Sequence, residues 1–313
     1  MDATAHAPRW KILLAFATIY FVWGSTFLAI RIGVHEVPPF LLAAMRFTAA
    51  GIILFGWTVA RGERLPSARQ WASICLIAAL IFALDYGLLF WAEQRVASGV
   101  AAVMLSIIPV FMALGEIVIL KTQKLTLRLA AALLTGLGGV VVLVSHSLDL
   151  GGAPIDRLGA LALLIAAVSW SIAAAFTRIL PMPESKVMSS GAQMLAGGIF
   201  LTITAAALGE FRNFNASAVS RGAWLALLYL TVFGSIIAFT AYTWLLHHES
   251  PMKVGTYAYV NPVIAVILGY FLGGEALGAR TILGTLCVLI SVIVITTTKA
   301  NKTVPAPVVE DLA

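Results

Sequence analysis

Three ionisable side chains stand inside long apolar stretches of this 313-residue sequence: Arg46, Asp85 and Glu116. Placing a charged side chain at the centre of a bilayer costs at least about 2.5–3.5 kcal/mol on insertion scales. Each of the three is therefore a candidate for function. A carboxylate in such a place binds a proton or an amine, and a nearby arginine tunes its proton affinity.

Arg46 and Asp85 are expected at similar depths in the membrane. Each lies about seven or eight residues from the same-side end of its apolar stretch, which is roughly 10–12 Å below that surface. We therefore expect a salt bridge or a water-mediated pair between them. Two roles remain open: a structural pair that locks two helices, or Asp85 as a proton- or amine-binding group tuned by Arg46. Glu116 lies near the cytoplasmic end of its stretch, where it is expected to snorkel to the surface or to meet Lys121.

Aromatic and polar residues at mid-span form a second set of candidates. A phenol or indole N–H in hydrocarbon needs a partner, so these side chains either pack between helices or line a cavity. As a group they favour a substrate with an apolar or aromatic surface, and ring faces also bind cations. The candidate substrate-binding residues are Trp23, Ser25, Tyr86, Trp170, Tyr242, Tyr257 and Asn261.

Helical spacing separates two of the neighbouring tyrosines. Tyr257 and Tyr259 are two positions apart and point about 200° away from each other on a helix, so they cannot both face one cavity. Tyr257 shares its face with Asn261. Pro109 and Pro262 each remove one backbone hydrogen bond, and we expect either hinges for a gate or static kinks there.

The composition requires membrane helices to position these residues. Hydrophobic residues make up 61% of the chain and charged residues 11%, against roughly 25% charged in soluble domains. Lys and Arg stand singly rather than in a basic block, so nucleic acid is not an expected partner. A helical span needs about 20 apolar residues. The sequence predicts an all-α polytopic membrane protein with ten spans, at 11–31, 38–60, 71–92, 97–120, 127–145, 157–179, 186–208, 222–246, 252–274 and 279–298.

The two halves of the chain share a pattern. The stretches 97–120 and 251–275 each open with small or polar residues, reach a proline and continue as an apolar helix. We interpret this as an internal duplication, and five spans per half make the second copy inverted. Most Lys and Arg fall on the side of the N-terminus, which places both termini in the cytoplasm. The expected organisation is a cytoplasmic N-terminus (1–10), a first repeat (11–145), a linker (146–156), a second repeat (157–298) and a disordered cytoplasmic tail (299–313).

The motifs resemble those of the drug/metabolite transporter superfamily, in particular its EamA-type members. The first span carries Trp23-Gly24-Ser25-Thr26-Phe27, the second runs from Pro38-Pro39-Phe40 to Arg46-Phe47, and the fourth and ninth contain Pro109 and Pro262. Gly274-Glu275 closes the ninth span, whereas the first half has Lys121-Thr122-Gln123-Lys124 at the matching place. The resemblance implies ten helices around a central cavity built mainly from spans 1, 3, 4, 6, 8 and 9. It also implies export of amino acids, other metabolites or drugs across a bacterial inner membrane.

The expected function is therefore export of small organic metabolites, such as amino acids or amphipathic compounds, by alternating access. No ATP-binding motif is present, so the energy would come from a gradient of the substrate or of protons. The expected partners are a small-molecule substrate, the lipid bilayer and, for a coupled carrier, protons; no cofactor or metal is expected. An uncoupled facilitative channel is the first alternative. A membrane-embedded enzyme is a remote one, because the sequence offers no nucleophile–base pair or metal cluster.

Overall fold

The computed structural model describes residues 8–96, 98–148, 156–212, 214–264 and 279–298, and the regular elements in these ranges are all helices. Most of the predicted linker, the predicted tail and the Gly274-Glu275 motif lie outside the described residues. Six of the helices are long and apolar enough to cross a membrane, and shorter apolar helices accompany them. In chain order the helices are α1 (Arg9–Val34), α2 (Pro39–Ala60), α3 (Ala68–Glu93), α4 (Ser98–Leu105), α5 (Ile108–Val118), α6 (Leu127–Leu148), α7 (Arg157–Ile179), α8 (Lys186–Ala207), α9 (Arg221–His248), α10 (Pro251–Val254), α11 (257–264 within the described range) and α12 (Ala279–Thr297).

Short polar side chains begin several of these helices. At the start of α3, Ser67 and Gln70 form a reciprocal pair in which each side chain accepts a hydrogen bond from the other's backbone N–H. Asp156 Oδ1 accepts from Gly159 N at 2.8 Å at the start of α7, and this bond lowers the pKa of Asp156. Each such cap stabilises a helix by about 0.5–2 kcal/mol. Serine caps at α8, α9 and α10 are Ser185, Ser220 and Ser250.

The outward faces of the helices are apolar. Large aliphatic side chains stand exposed along the whole bundle, and a water-soluble protein rarely presents such a continuous apolar surface. Lipid is the solvent for these faces, so the protein is an all-helical polytopic membrane protein, as predicted. Examples from six different helices are Leu13, Ile53, Leu134, Leu161, Ile203 and Ile293.

The second and seventh predicted spans, α2 and α8, pack closely along their length and run antiparallel. Gly51 lies against the backbone of Leu195, and Gly198 lies against the backbone of Thr48. A third contact joins Gly191 to Phe55. Residue numbers rise along one helix as they fall along the other, which defines the antiparallel direction. The absence of a Cβ at these glycines lets the two backbones approach.

The fifth and tenth predicted spans, α6 and α12, form a second antiparallel pair. Ser291 Oγ donates to Ala132 O at 2.6 Å, and Gly139 lies against Gly284 and Cys287. The buried apolar side chains of this pair belong to a small core that also includes residues of α5, α10 and α11 and is separate from the large core. The pair therefore stands beside the bundle that contains the candidate site.

Helices α3 and α9 each contain an eight-residue π-helical segment. The first runs over Ala79–Tyr86 and the second over Leu230–Ile237. A π-helical segment inserts extra residues into a turn and is common at functional sites. Neither segment was predicted from the sequence, because neither contains proline.

The fourth and ninth predicted spans are interrupted. The fourth breaks at positions 106–107, between α4 and α5, and Pro109 is the second residue of α5. The ninth breaks at positions 255–256, whereas Pro262 lies within the described part of α11. The break in the ninth span therefore precedes its proline by about two helical turns.

Candidate functional site

Five aromatic side chains from five helices meet inside the bundle. The Trp23 ring centroid lies 4.7 Å from Tyr257, 5.2 Å from Tyr242 and 5.5 Å from Trp170. Trp170 also lies 5.0 Å from Tyr242 and 5.7 Å from Tyr86. These spacings are typical of tilted and edge-to-face aromatic pairs. We call the five residues the aromatic cluster.

A cavity of about 40 Å³ borders the aromatic cluster. This is room for a few water molecules, whereas sites for drug-sized ligands measure about 300–1,000 Å³. An organic substrate therefore requires the surrounding helices to move apart. The cavity is lined by Trp23, Thr26, Phe27, Ile30, Asp85, Tyr86, Leu89, Ala102, Leu105, Ile108, Trp170, Tyr257, Ala258 and Asn261.

Asp85 supplies the carboxylate of this cavity. It lies at the end of the π-helical segment of α3 and is 4% exposed. Within the described residues, no hydrogen bond or ion pair reaches its oxygens. A buried carboxylate without a partner is costly unless it is neutral or meets a cation. Asp85 is therefore free to bind a proton or an ammonium group that enters the cavity.

Arg46 does not form a direct salt bridge with Asp85. Its side chain is 1% exposed, and its Nε donates to Ser235 Oγ at 2.7 Å. The guanidinium carbon lies 4.6 Å from the Phe47 ring centroid and 5.1 Å from that of Tyr86. Nη1 and Nη2 have no hydrogen-bond partner among the described residues. Aromatic faces, rather than a carboxylate, compensate the charge of Arg46.

The π-helical segment of α9 receives side chains from the first half of the chain. Ser235 Oγ accepts from Arg46 and donates to Leu230 O at 3.1 Å, while Trp23 Nε1 donates to Gly234 O at 3.0 Å. A Cβ at Gly234 would lie 2.8 Å from Arg46 Nη2, so glycine makes room for the guanidinium. Our sequence interpretation missed this segment, because neither Gly234 nor Ser235 stands out in an apolar span.

The structure brings most of the predicted substrate-binding residues to the cavity but not all of them. Trp23, Tyr86, Trp170, Tyr257 and Asn261 line it. Tyr242 is not among the lining residues and packs against the ring of Trp170. Ser25 is also removed from it: its Oγ donates to Val22 O and lies 2.5 Å from the Tyr229 hydroxyl.

Tyr257 and Tyr259 diverge as their spacing predicts. Tyr257 and Asn261 both face the cavity. The Tyr259 hydroxyl donates to Leu133 O at 2.9 Å, so this side chain joins α11 to α6. Asn261 Oδ1 has no hydrogen-bond partner among the described residues, and it is a polar acceptor available at the cavity wall.

Glu116 neither snorkels to the surface nor pairs with Lys121. It is 1% exposed, and its Oε1 accepts a hydrogen bond from Met252 N at 2.6 Å. The carboxylate thus caps the start of α10 from the end of α5. The prediction was wrong because it considered only neighbours in sequence, and the partner lies 136 residues away.

Glu93 is a buried carboxylate that our sequence interpretation did not identify, because the predicted span ended one residue too early. The third span was predicted to end at residue 92, which would leave Glu93 at the surface. Instead it is the last residue of α3 and is 2% exposed. Neither of its oxygens has a hydrogen-bond partner in the part of the chain that the structure describes.

Comparison with known proteins identifies the family to which this chain is similar. The model of the EamA-like transporter family matches twice, over residues 9–145 and 157–297. The uncharacterized inner membrane transporter YedA of Escherichia coli (strain K12) is 37% identical over 302 residues, which cover 95% of each chain. The uncharacterized transporter YoaV of Bacillus subtilis (strain 168) is 23% identical over 94% of this chain and 99% of its own. Protein PecM of Dickeya dadantii is 25% identical over 88% of each.

A solved crystal structure has the same fold. It superposes with a TM-score of 0.71 over 92% of this chain and 97% of its own, at 23% identity. The twofold match to the family model, the 37% identity to an inner membrane transporter and the apolar helices agree with one another. The chain therefore belongs to the EamA-like transporter family and is a multi-pass inner membrane transporter.

Proposed function

We propose that the protein exports small organic amines, including amino acids and amphipathic compounds with an aromatic or apolar part. The observation that carries the proposal is the carboxylate of Asp85, which is 4% exposed and lies in a cavity walled by aromatic rings. Ring faces attract cations, and the effect is strongest where water is excluded. An ammonium group beside Asp85, with its apolar part against Trp23 and Trp170, satisfies both features.

Alternating access between two inverted repeats is the proposed mechanism. The antiparallel pairs α2–α8 and α6–α12 support it, because inverted repeats place equivalent helices in opposite directions. The twofold match to the family model supports the duplication. In the proposed cycle the cavity widens toward one face at a time, and the interruptions at 106–107 and 255–256 are the hinges.

Asp85 is proposed to exchange a proton for the substrate amine. Such a competition couples export to the proton gradient, since a carboxylate that holds a proton cannot also hold an ammonium group. Arg46 stays fixed to Ser235 and the aromatic faces during this exchange.

The test compares cells that produce the wild-type protein with cells that produce Asp85→Asn or Glu184→Gln. Glu184 is an exposed carboxylate away from the cavity and provides the matched control. Untargeted profiling of the medium should show amines that accumulate with the wild type and the control. Loss of a hydrogen bond to a charged group costs about 1.5–3 kcal/mol, so Asp85→Asn should lower their export at least about tenfold.

A transport assay in liposomes then separates the carrier from the alternatives. Purified protein is reconstituted with the amine found in the medium, and its flux is measured with and without a proton gradient. A coupled carrier responds to the gradient in the wild type and loses that response in Asp85→Asn. Flux that ignores the gradient supports an uncoupled channel. A folded Asp85→Asn variant with unchanged export and unchanged pH dependence rejects the role of Asp85.

A further inference from the structure

A groove with a basic entrance and an apolar floor opens on the lipid-facing surface. Its volume is about 420 Å³, and it lies between α1 of the first half and α8 and α9 of the second. It is separate from the aromatic cluster. The lining residues used here are Trp10, Lys11, Leu14, Lys186, Ala241 and Trp244.

The charged residues of the groove lie near the ends of their helices, and its apolar residues lie deeper in the membrane. Lys11 stands near the start of α1, and Lys186 is the first residue of α8. Leu14 and Thr18 continue the same wall of α1 toward the membrane interior, where Thr18 is about 10 Å deeper than Lys11. Trp10 and Trp244 flank the entrance, as tryptophans do at the level of lipid headgroups.

The two ammonium groups are available to an anion from outside the protein. The ion pairs among the described residues are Arg95–Asp156 and Lys253–Glu249, and neither involves Lys11 or Lys186. The Lys11 Nζ atom lies 5.6 Å from the Trp10 ring centroid.

The other charged residues discussed here at this end of the bundle do not line the groove. Arg178 donates to the carbonyl oxygens of Leu246 and Glu249, both at 2.8 Å. Glu184, two residues before Lys186, lines a different cleft beside Glu63, and its charge also acts on the Lys186 ammonium group. An anion in the groove therefore meets two cations and no carboxylate of the groove wall.

We propose that this groove binds one anionic phospholipid. The phosphate lies between Lys11 and Lys186, and one acyl chain runs along Leu14 and Ala241. Basic pockets between membrane helices are known to select anionic headgroups. Since the groove is lined by α1 of the first half and by α8 and α9 of the second, the bound lipid contacts both halves of the transporter.

The experiment uses the purified full-length protein in a neutral detergent. The midpoint of thermal unfolding is followed during titration with phosphatidylglycerol, with phosphatidylcholine or with inorganic phosphate. Phosphatidylglycerol should raise the midpoint with saturation, whereas the other two should not. Native mass spectrometry should find one tightly retained phosphatidylglycerol per chain.

Two double variants identify the site. In Lys11→Gln/Lys186→Gln the half-saturating concentration of phosphatidylglycerol should rise about 10- to 30-fold, since each basic residue near a membrane surface contributes roughly a fivefold factor. Lys121→Gln/Lys124→Gln removes two exposed lysines from the loop after α5 and should leave it unchanged. Each variant is compared with its own lipid-free midpoint, and retained lipid is counted on the folded species, so a change in basal stability does not obscure the result.

Three outcomes overturn the proposal. Equal stabilisation by phosphatidylcholine means that only the apolar floor binds. Equal stabilisation by inorganic phosphate means that the lysines bind a free anion. An equal loss of affinity in the two double variants means that diffuse charge, rather than this groove, attracts the lipid.

Discussion

The close contact between α2 and α8 predicts a large difference between two glycine substitutions on the same helix. An ideal Cβ at Gly51 would lie 2.6 Å from Leu195 Cα and also against the Leu195 amide nitrogen. Gly56, on another face of α2, has nothing within 4 Å of its ideal Cβ. Gly51→Ala and Gly56→Ala therefore make the same chemical change in a filled and in an open environment.

The expected difference in stability between the two variants follows from two opposing contributions. Replacing glycine by alanine inside a helix stabilises it by about 0.5–1 kcal/mol, and this gain is common to both variants. Ordinary contacts between carbon atoms are about 3.5–4.0 Å long, so the new methyl group at position 51 must push the two backbones apart by about 1 Å. Overpacking of this kind costs about 1–3 kcal/mol. Gly51→Ala should thus be about 1–3 kcal/mol less stable than Gly56→Ala.

The antiparallel pairing adds a second expectation. A Cβ at Gly198 would lie 2.6 Å from Thr48 N, which is the reciprocal of the contact between Gly51 and Leu195. Gly198→Ala should consequently be destabilised to the same extent as Gly51→Ala. A difference between them would show that the two ends of the contact are not equivalent.

The assay is thermal unfolding of the purified variants in one detergent at one scan rate, because membrane proteins of this size commonly unfold irreversibly. Gly51→Ala and Gly198→Ala should unfold below the wild type or close to it, and Gly56→Ala slightly above it. If Gly51→Ala unfolds at the same midpoint as Gly56→Ala, the close backbone contact described here is incorrect.

Two further predictions concern the contacts made by buried and exposed carboxylates. Glu116→Leu leaves the buried N–H of Met252 without an acceptor and should cost about 1–3 kcal/mol, whereas Glu116→Gln should retain most of the wild-type stability in the same unfolding assay; equal midpoints for Glu116→Leu and the wild type would contradict the cap. Glu36 accepts from Ser220 N and Ser220 Oγ, both at 2.6 Å, and these bonds lower the pKa of Glu36 below its ordinary value of 4.5. A lowered pKa in the folded state stabilises the protein above the unfolded value, and this contribution is lost as the pH falls through the folded value. Unfolding midpoints between pH 6 and pH 3 should therefore fall less steeply in Glu36→Gln than in the wild type, and identical profiles would refute the assignment.

Composition and periodicity were sufficient for the class of the protein. A chain with 11% charged residues cannot cover itself with a polar surface, so the helices had to lie in lipid. The opposite directions of Tyr257 and Tyr259 were also predictable, because the angle between neighbouring positions is a local property of the helix. The cavity-facing position of Asn261 follows from the same geometry.

Contacts between side chains of different helices could be established only from the tertiary structure. Depth along the membrane normal suggested that Arg46 and Asp85 meet, but depth does not define how each helix is rotated about its axis. In the folded chain the Arg46 Nε atom donates to Ser235 Oγ, in the π-helical segment of α9, and no direct salt bridge joins Arg46 to Asp85.

Glu116 illustrates the same limit over a longer range. From the sequence its nearest cation was Lys121, whereas the folded chain offers the N–H of Met252, at the start of α10 in the second half. The sequence by itself determined which residues are apolar enough to enter the membrane and which few are not. Only packing decided which of those few meet, because hydrogen bonds in a bilayer form with whatever donor the neighbouring helix presents.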